Sequence, residues 1–233
     1  MSEDRSVFEL TAEPSKTLLH YGEGADQVIE VFRAIGAVKK RVLLIHGGYW
    51  RPEFDRSHLR PYAQELALRG IETLLLEYRR ELGSPENYLG DLISALKVIG
   101  PCSVIGHSAG GHLALLVESL EQVESVIALA PVSDLIAGDE LGLDDGVIRL
   151  FLGAPPSKYP HLNPMSVNGF SSKVTVIHGD EDHRVPVELS RKFTERFTDV
   201  AYIELADVGH FELIDPRREN IVDLVMDLVL ASL

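Results

Sequence analysis

Four short stretches place side chains that could carry acyl-transfer chemistry. In "GHSAG", residues 106–110, Ser108 stands between two glycines where the apolar run "CSVIGHS" gives way to a helical pattern. Glycines on either side of a serine let a strand turn sharply into a helix without a Cβ clash. The hydroxyl then stands clear at the carboxyl end of the strand. The helix N-terminus beneath it favours negative charge developing nearby. Such a hydroxyl is a candidate nucleophile, provided the chain also supplies a base, an acid and an oxyanion site.

The oxyanion site is sought in "LLIHGGYW", residues 43–50, where paired glycines let backbone N–H groups converge above Ser108. One donor is expected from the residue after the nucleophile, Ala109, and a second from Gly48, with Gly47 or Tyr49 assisting. His46 reads as a brace for this loop. Tyr49 and Trp50 flank it and offer an aromatic wall to a substrate, although Trp50 reads equally well as core. The acid is sought in "VIHGDEDHRVP", residues 176–186, a strand followed by a turn crowded with carboxylates. Asp180 and Asp182 both qualify; Asp182 leaves room after the strand for the carboxylate to turn inward, and Asp180 is assigned to the turn. The base is His210 in "LADVGHFELID", residues 205–215, placed after a strand and a glycine in the last loop before the final helix. A buried carboxylate there would orient the imidazole and stabilise its protonated form.

Other histidines receive structural readings. His107 adjoins Ser108, but neighbouring residues on so tight a turn point in different directions. His112 falls one turn into the following helix. His178, Asp180, Asp182 and His183 cluster, yet no second group elsewhere shows ligand spacing, so no metal and no organic cofactor is expected.

The elements that must hold these residues alternate. Apolar runs rich in Val, Ile and Leu ("RVLLIHGG", "IETLLLEY", "CSVIGHS", "ESVIALAP", "VTVIHGD", "AYIELAD") suit strands buried on both faces of a parallel sheet. Helices are predicted over 56–69, 85–99, 109–120, 187–198 and 217–231. Upstream, "TLLHYG" and "QVIEVFRA" read as an antiparallel pair on the sheet edge. With no internal repeat and no Gly-, Ser- or Pro-rich linker, residues 1–233 are expected to form a single α/β domain. Residues 134–170, with four prolines and a predicted helix "DDGVIRLFLG", interrupt the alternation and read as a small cap-like insertion.

Composition narrows the partners. The chain has 233 residues, 45% of them apolar, and a formal charge of −14. That charge argues against nucleic acid and against anionic membrane surfaces. The apolar runs are too short to cross a bilayer. The acidic, polar N-terminus does not resemble a secretory signal, and the one cysteine, Cys102, permits no intrachain disulfide, so a cytoplasmic location is expected. An exposed apolar edge could support a homodimer.

These motifs resemble those of the α/β-hydrolase family from about residue 17 onward. The resemblance implies an α/β-hydrolase fold: a mostly parallel central sheet of about eight strands with helices on both faces. It also implies a catalytic triad in the chain order Ser108, Asp182, His210. "HGDEDHRVP" is similar to the family's acid-loop pattern H-G-x-x-D-x-x-V-P, which maps the acid onto Asp182. Within the family, "HGGYW" at 46–50 and "EYRREL" at 77–82 with "SPENYLGDLISAL" after it look like the kynurenine formamidase and small-esterase branch. The hormone-sensitive-lipase-like group has a third glycine where this chain has Tyr49. The activity implied is serine hydrolysis of a small ester or amide, an arylformamide being one substrate class. The alternatives are a general short-chain carboxylesterase, a small peptidase, or a non-catalytic ligand-binding relative.

Overall fold

Continuous apolar runs become the strands of one eight-stranded sheet in the computed structural model, which describes residues 4–231. Two strands enter first, β1 (Leu18–His20) and β2 (Val28–Phe32). Six more follow in chain order: β3 (Lys40–Ile45), β4 (Ile71–Leu76), β5 (Cys102–His107), β6 (Val123–Leu129), β7 (Lys173–Gly179) and β8 (Ala201–Leu205). Their spatial order is β1-β2-β4-β3-β5-β6-β7-β8. β1–β2 and β2–β4 pair antiparallel; every other pair is parallel. The upstream pair therefore sits on the sheet edge, as the sequence predicts.

The period of two sorts side chains to opposite faces. Leu43, Ile45 and Val104 join an apolar layer with the helices α2 (Pro85–Ile99), α3 (Ala109–Leu116) and α6 (Val187–Arg196). Val42, Leu44 and Ile105 join the opposite layer with α1 (Arg60–Leu68) and α7 (Glu219–Leu230). Central strands are buried on both faces, which is why they read as unbroken apolar runs. β8, an edge strand, is only half-buried.

Residues 134–170 fold as α4 (Leu135–Glu140), α5 (Leu143–Leu152) and three short 3-10 turns, each beginning at a proline. Leu135, Val147, Ile148, Phe151, Leu152 and Leu162 are buried in the same layer as α2 and α3. The segment is thus packed into that layer by its own apolar face. Cys102 is buried and free. Among the described residues, no helix is long and apolar enough to cross a membrane.

Candidate active site

Ser108 closes β5 with φ 58° and ψ −119°, a conformation that costs a non-glycine residue free energy and is kept only where the surroundings enforce it. Its N–H donates to the Leu129 carbonyl at 2.8 Å, and its own carbonyl accepts from His112 N–H at 3.0 Å, anchoring the turn to β6 and to α3. Close approach explains the glycines. A Cβ on Gly106 would collide with the Gly110 carbonyl, and one on Gly110 with the Ile45 and His46 carbonyls. Ala109 opens α3, whose first N–H groups have no intrahelical acceptor.

The loop after β3 passes directly over this turn. A Cβ on Gly47 would lie 2.9 Å from that of Ser108. Gly48, Tyr49 and Trp50 follow with φ of 108°, 53° and 56°. His46 braces the loop: Nδ1–H donates to the Gly47 carbonyl at 2.8 Å, and Nε2 lies 3.0 Å from the carboxylate of the buried Glu77. Burial pushes the His46 imidazole down to about 3. The Tyr49 hydroxyl donates to the Arg184 carbonyl at 2.8 Å, joining this loop to the turn after β7.

That turn carries Asp182. Its Oδ1 accepts from the N–H groups of Arg184 (2.7 Å) and Val185 (2.8 Å), and its Oδ2 lies 2.6 Å from Nδ1 of His210. His178 supports it, with Nε2 3.1 Å from Asp182 Oδ2 and 2.9 Å from the Val185 carbonyl. Both partners only accept, so Nε2 carries the proton; Nδ1 then accepts from the Ser190 hydroxyl at 2.7 Å. Burial opposes ionisation of Asp182. The electrostatic interaction with the facing His210 and the hydrogen bonds from His178 and His210 outweigh it and hold the carboxyl well below its usual range. Asp180 accepts from the N–H of Asp207 at 2.8 Å, so it ties its turn to the loop that carries His210. His107 packs its ring 4.5 Å from that of His210 and donates from Nε2 to the His210 carbonyl at 3.0 Å.

Ser108, His107 and His210 line one cavity of about 80 Å³, together with Gly48 and Tyr49. Asp182 reaches it only through His210. Trp50 requires a correction. It is 1% exposed and stacked on Phe151 at 4.5 Å and 11°, and it is not among the cavity's lining residues. Of the two readings of Trp50, substrate wall or core, the structure shows the core, into which the successive left-handed residues turn the indole. Gly47 lies against Ser108, outside the lining.

Several lining residues lie outside the four stretches, Arg5, Phe8, Phe54, His58 and Asp144, and two more, Arg184 and Phe211, lie within them without an assigned role. Phe211 could have been found by its adjacency to His210. Phe8 belongs to a 3-10 turn, Ser6–Glu9, within a stretch that reads only as polar. It packs edge-on against Phe211 at 4.8 Å. Asp144 comes from the segment after β6 and accepts from Arg51 Nε at 2.7 Å, tying that segment to the loop after β3. Among the described residues, no group of three or more His, Cys, Asp or Glu side chains could hold a metal ion.

A strained serine at a strand-to-helix turn and an imidazole held by a buried carboxylate thus line one cavity at the carboxyl edge of a parallel sheet. The chain belongs to the alpha/beta hydrolase family, whose profile matches residues 42–170. No curated protein matches it significantly. Among solved structures it is similar to esterase B from Lactobacillus rhamnosis, with a TM-score of 0.77 and 19% identity, covering 98% of this chain and 90% of that one. It is also similar to Thermogutta terrifontis esterase 2, with a TM-score of 0.72 and 19% identity over 94% of each chain. Both likenesses are of fold.

Proposed function

We propose that the protein is a serine hydrolase that cleaves a small carboxylic ester or amide through an acyl-enzyme. The observation that carries this reading is the line from Asp182 through the 2.6 Å contact to His210 Nδ1, with His210 and Ser108 on one small cavity. Asp182 fixes the proton on Nδ1, leaving Nε2 as the base. His210 takes the Ser108 proton as Oγ attacks the carbonyl carbon. The N–H groups of Ala109 and Gly48, with Gly47 or Tyr49 assisting, receive the oxyanion. Collapse of the tetrahedral intermediate breaks the bond to the leaving group, which departs with the proton from His210. Water, deprotonated by His210, then releases the acid and restores Ser108.

Substrate size follows from the cavity, and its aromatic lining of Phe8, Tyr49, Phe54 and Phe211 suits a planar leaving group. Together with the "HGGYW" resemblance, this favours an arylformamidase. A short-chain carboxylesterase is the second reading, favoured by the small cavity and by a structural neighbour solved with propionate and with butyrate bound. Comparing kcat/KM for N-formylkynurenine and p-nitrophenyl butyrate separates them: the arylformamidase reading expects a clear preference for the former. Ser108→Ala should remove turnover of both while leaving the circular dichroism spectrum unchanged. Retained turnover in that variant contradicts the mechanism.

A further inference from the structure

One more titratable side chain lines the cavity and has no part in the scheme above. His58 sits in the 3-10 turn Arg56–Leu59, its ring 5.8 Å from that of Phe8 and 5.9 Å from that of His46. Its Nδ1 lies 2.7 Å from the Asp55 carbonyl, which can only accept, so Nδ1 carries the proton. Burial, reinforced by the neighbouring His46, pushes the imidazole down to about 4, and the ring stays neutral near pH 7. Its Nε2 therefore keeps a lone pair. Among the described residues Nε2 meets no hydrogen-bond partner, and it is not one of the sealed polar atoms left without one. It is an unpaired acceptor on a side chain that lines the cavity with Ser108 and His210.

We infer that His58 is a specificity-determining residue, which accepts a hydrogen bond from an N–H or O–H carried next to the scissile carbonyl. The inference rests on the hydrolase reading of the site. His58 lines the same cavity as Ser108 and His210, so a donor carried beside the reacting carbon is the group placed to meet it. An acceptor that a substrate cannot satisfy, once water is displaced, discriminates against that substrate. The wall therefore favours an amide nitrogen bearing hydrogen over an ester oxygen in the same position.

Acetanilide and phenyl acetate share acyl group and ring and differ at that one position. With both as substrates, His58→Phe keeps a ring against Phe8 and removes the acceptor. It should lower kcat/KM for acetanilide by about tenfold or more, and change that for phenyl acetate by less than about threefold. His58→Gln, whose side-chain carbonyl can accept, should recover part of the loss and guards against a folding defect in the first variant. Equal losses on the two substrates, or no acetanilide turnover by the unaltered protein, would overturn the inference. Phosphonylation of Ser108 is unaffected in either case, so failure of the hydrolase reading itself would be visible separately.

Discussion

Asp182 accepts four hydrogen bonds from a sealed position, two from backbone N–H groups and two from imidazoles, and so can neither move nor readily take up a proton. That rigidity fixes the tautomer of His210. Asp182→Asn preserves the shape and can still accept from the Arg184 and Val185 amides, but it presents the wrong partner to Nδ1. Turnover should fall by about three to four orders of magnitude with little change in fold; a loss of less than about tenfold, measured with p-nitrophenyl acetate, would remove Asp182 from its assigned role. At this scale the sequence was informative where chemistry restricts the residue type. Ser108, Asp182 and His210 were legible as candidates because few residues can serve, and each follows a strand. His58 and Phe8 were not, because nothing local distinguishes a lining histidine or phenylalanine from a packed one. Trp50 stayed open between wall and core for a similar reason: its direction depends on the φ values of three consecutive residues.

The elements that position these groups meet through close backbone contacts. The loop after β3 can lie over Ser108 because Gly47 and Gly48 have no side chain, and at Gly48 the φ of 108° adds a second requirement. A Cβ there would collide with that of Phe54. Gly48→Ala should therefore displace the proposed oxyanion donor and reduce kcat by about two to three orders of magnitude, while the thermal midpoint shifts modestly because the loop lies outside the sheet. An unchanged kcat would show that this amide takes no part. The strands and long helices were legible because period-two and period-3.6 patterns are dictated by which faces are buried. The Ser6–Glu9 turn was not, since a four-residue turn has no periodicity and its docking depends on remote partners such as Phe211 against Phe8 and Arg217 against Ser6.

Across the whole molecule, burial has left His46, His107 and His112 with imidazoles that resist protonation: His46 is pushed to about 3, His112 to about 4, and His107 well below its ordinary value of 6.5. A histidine whose pKa is depressed on folding contributes stability that is complete above the ordinary value and is lost as pH falls through it towards the folded value. His112 alone would lose about 2–3 kcal/mol by pH 4.5, so the thermal midpoint should drop by at least about 5 °C between pH 7.5 and pH 4.5. A flat profile would contradict this burial. The same closed packing leaves one small cavity to hold Ser108 and His210, and the account depends on the serine in it being a nucleophile. The most direct measurement is to treat the folded protein with a fluorophosphonate and locate the adduct by peptide mass spectrometry. One adduct on Ser108, absent from Ser108→Ala and strongly slowed in His210→Ala, is the predicted result. A folded protein that stays unlabelled, or is labelled at another residue, would contradict it.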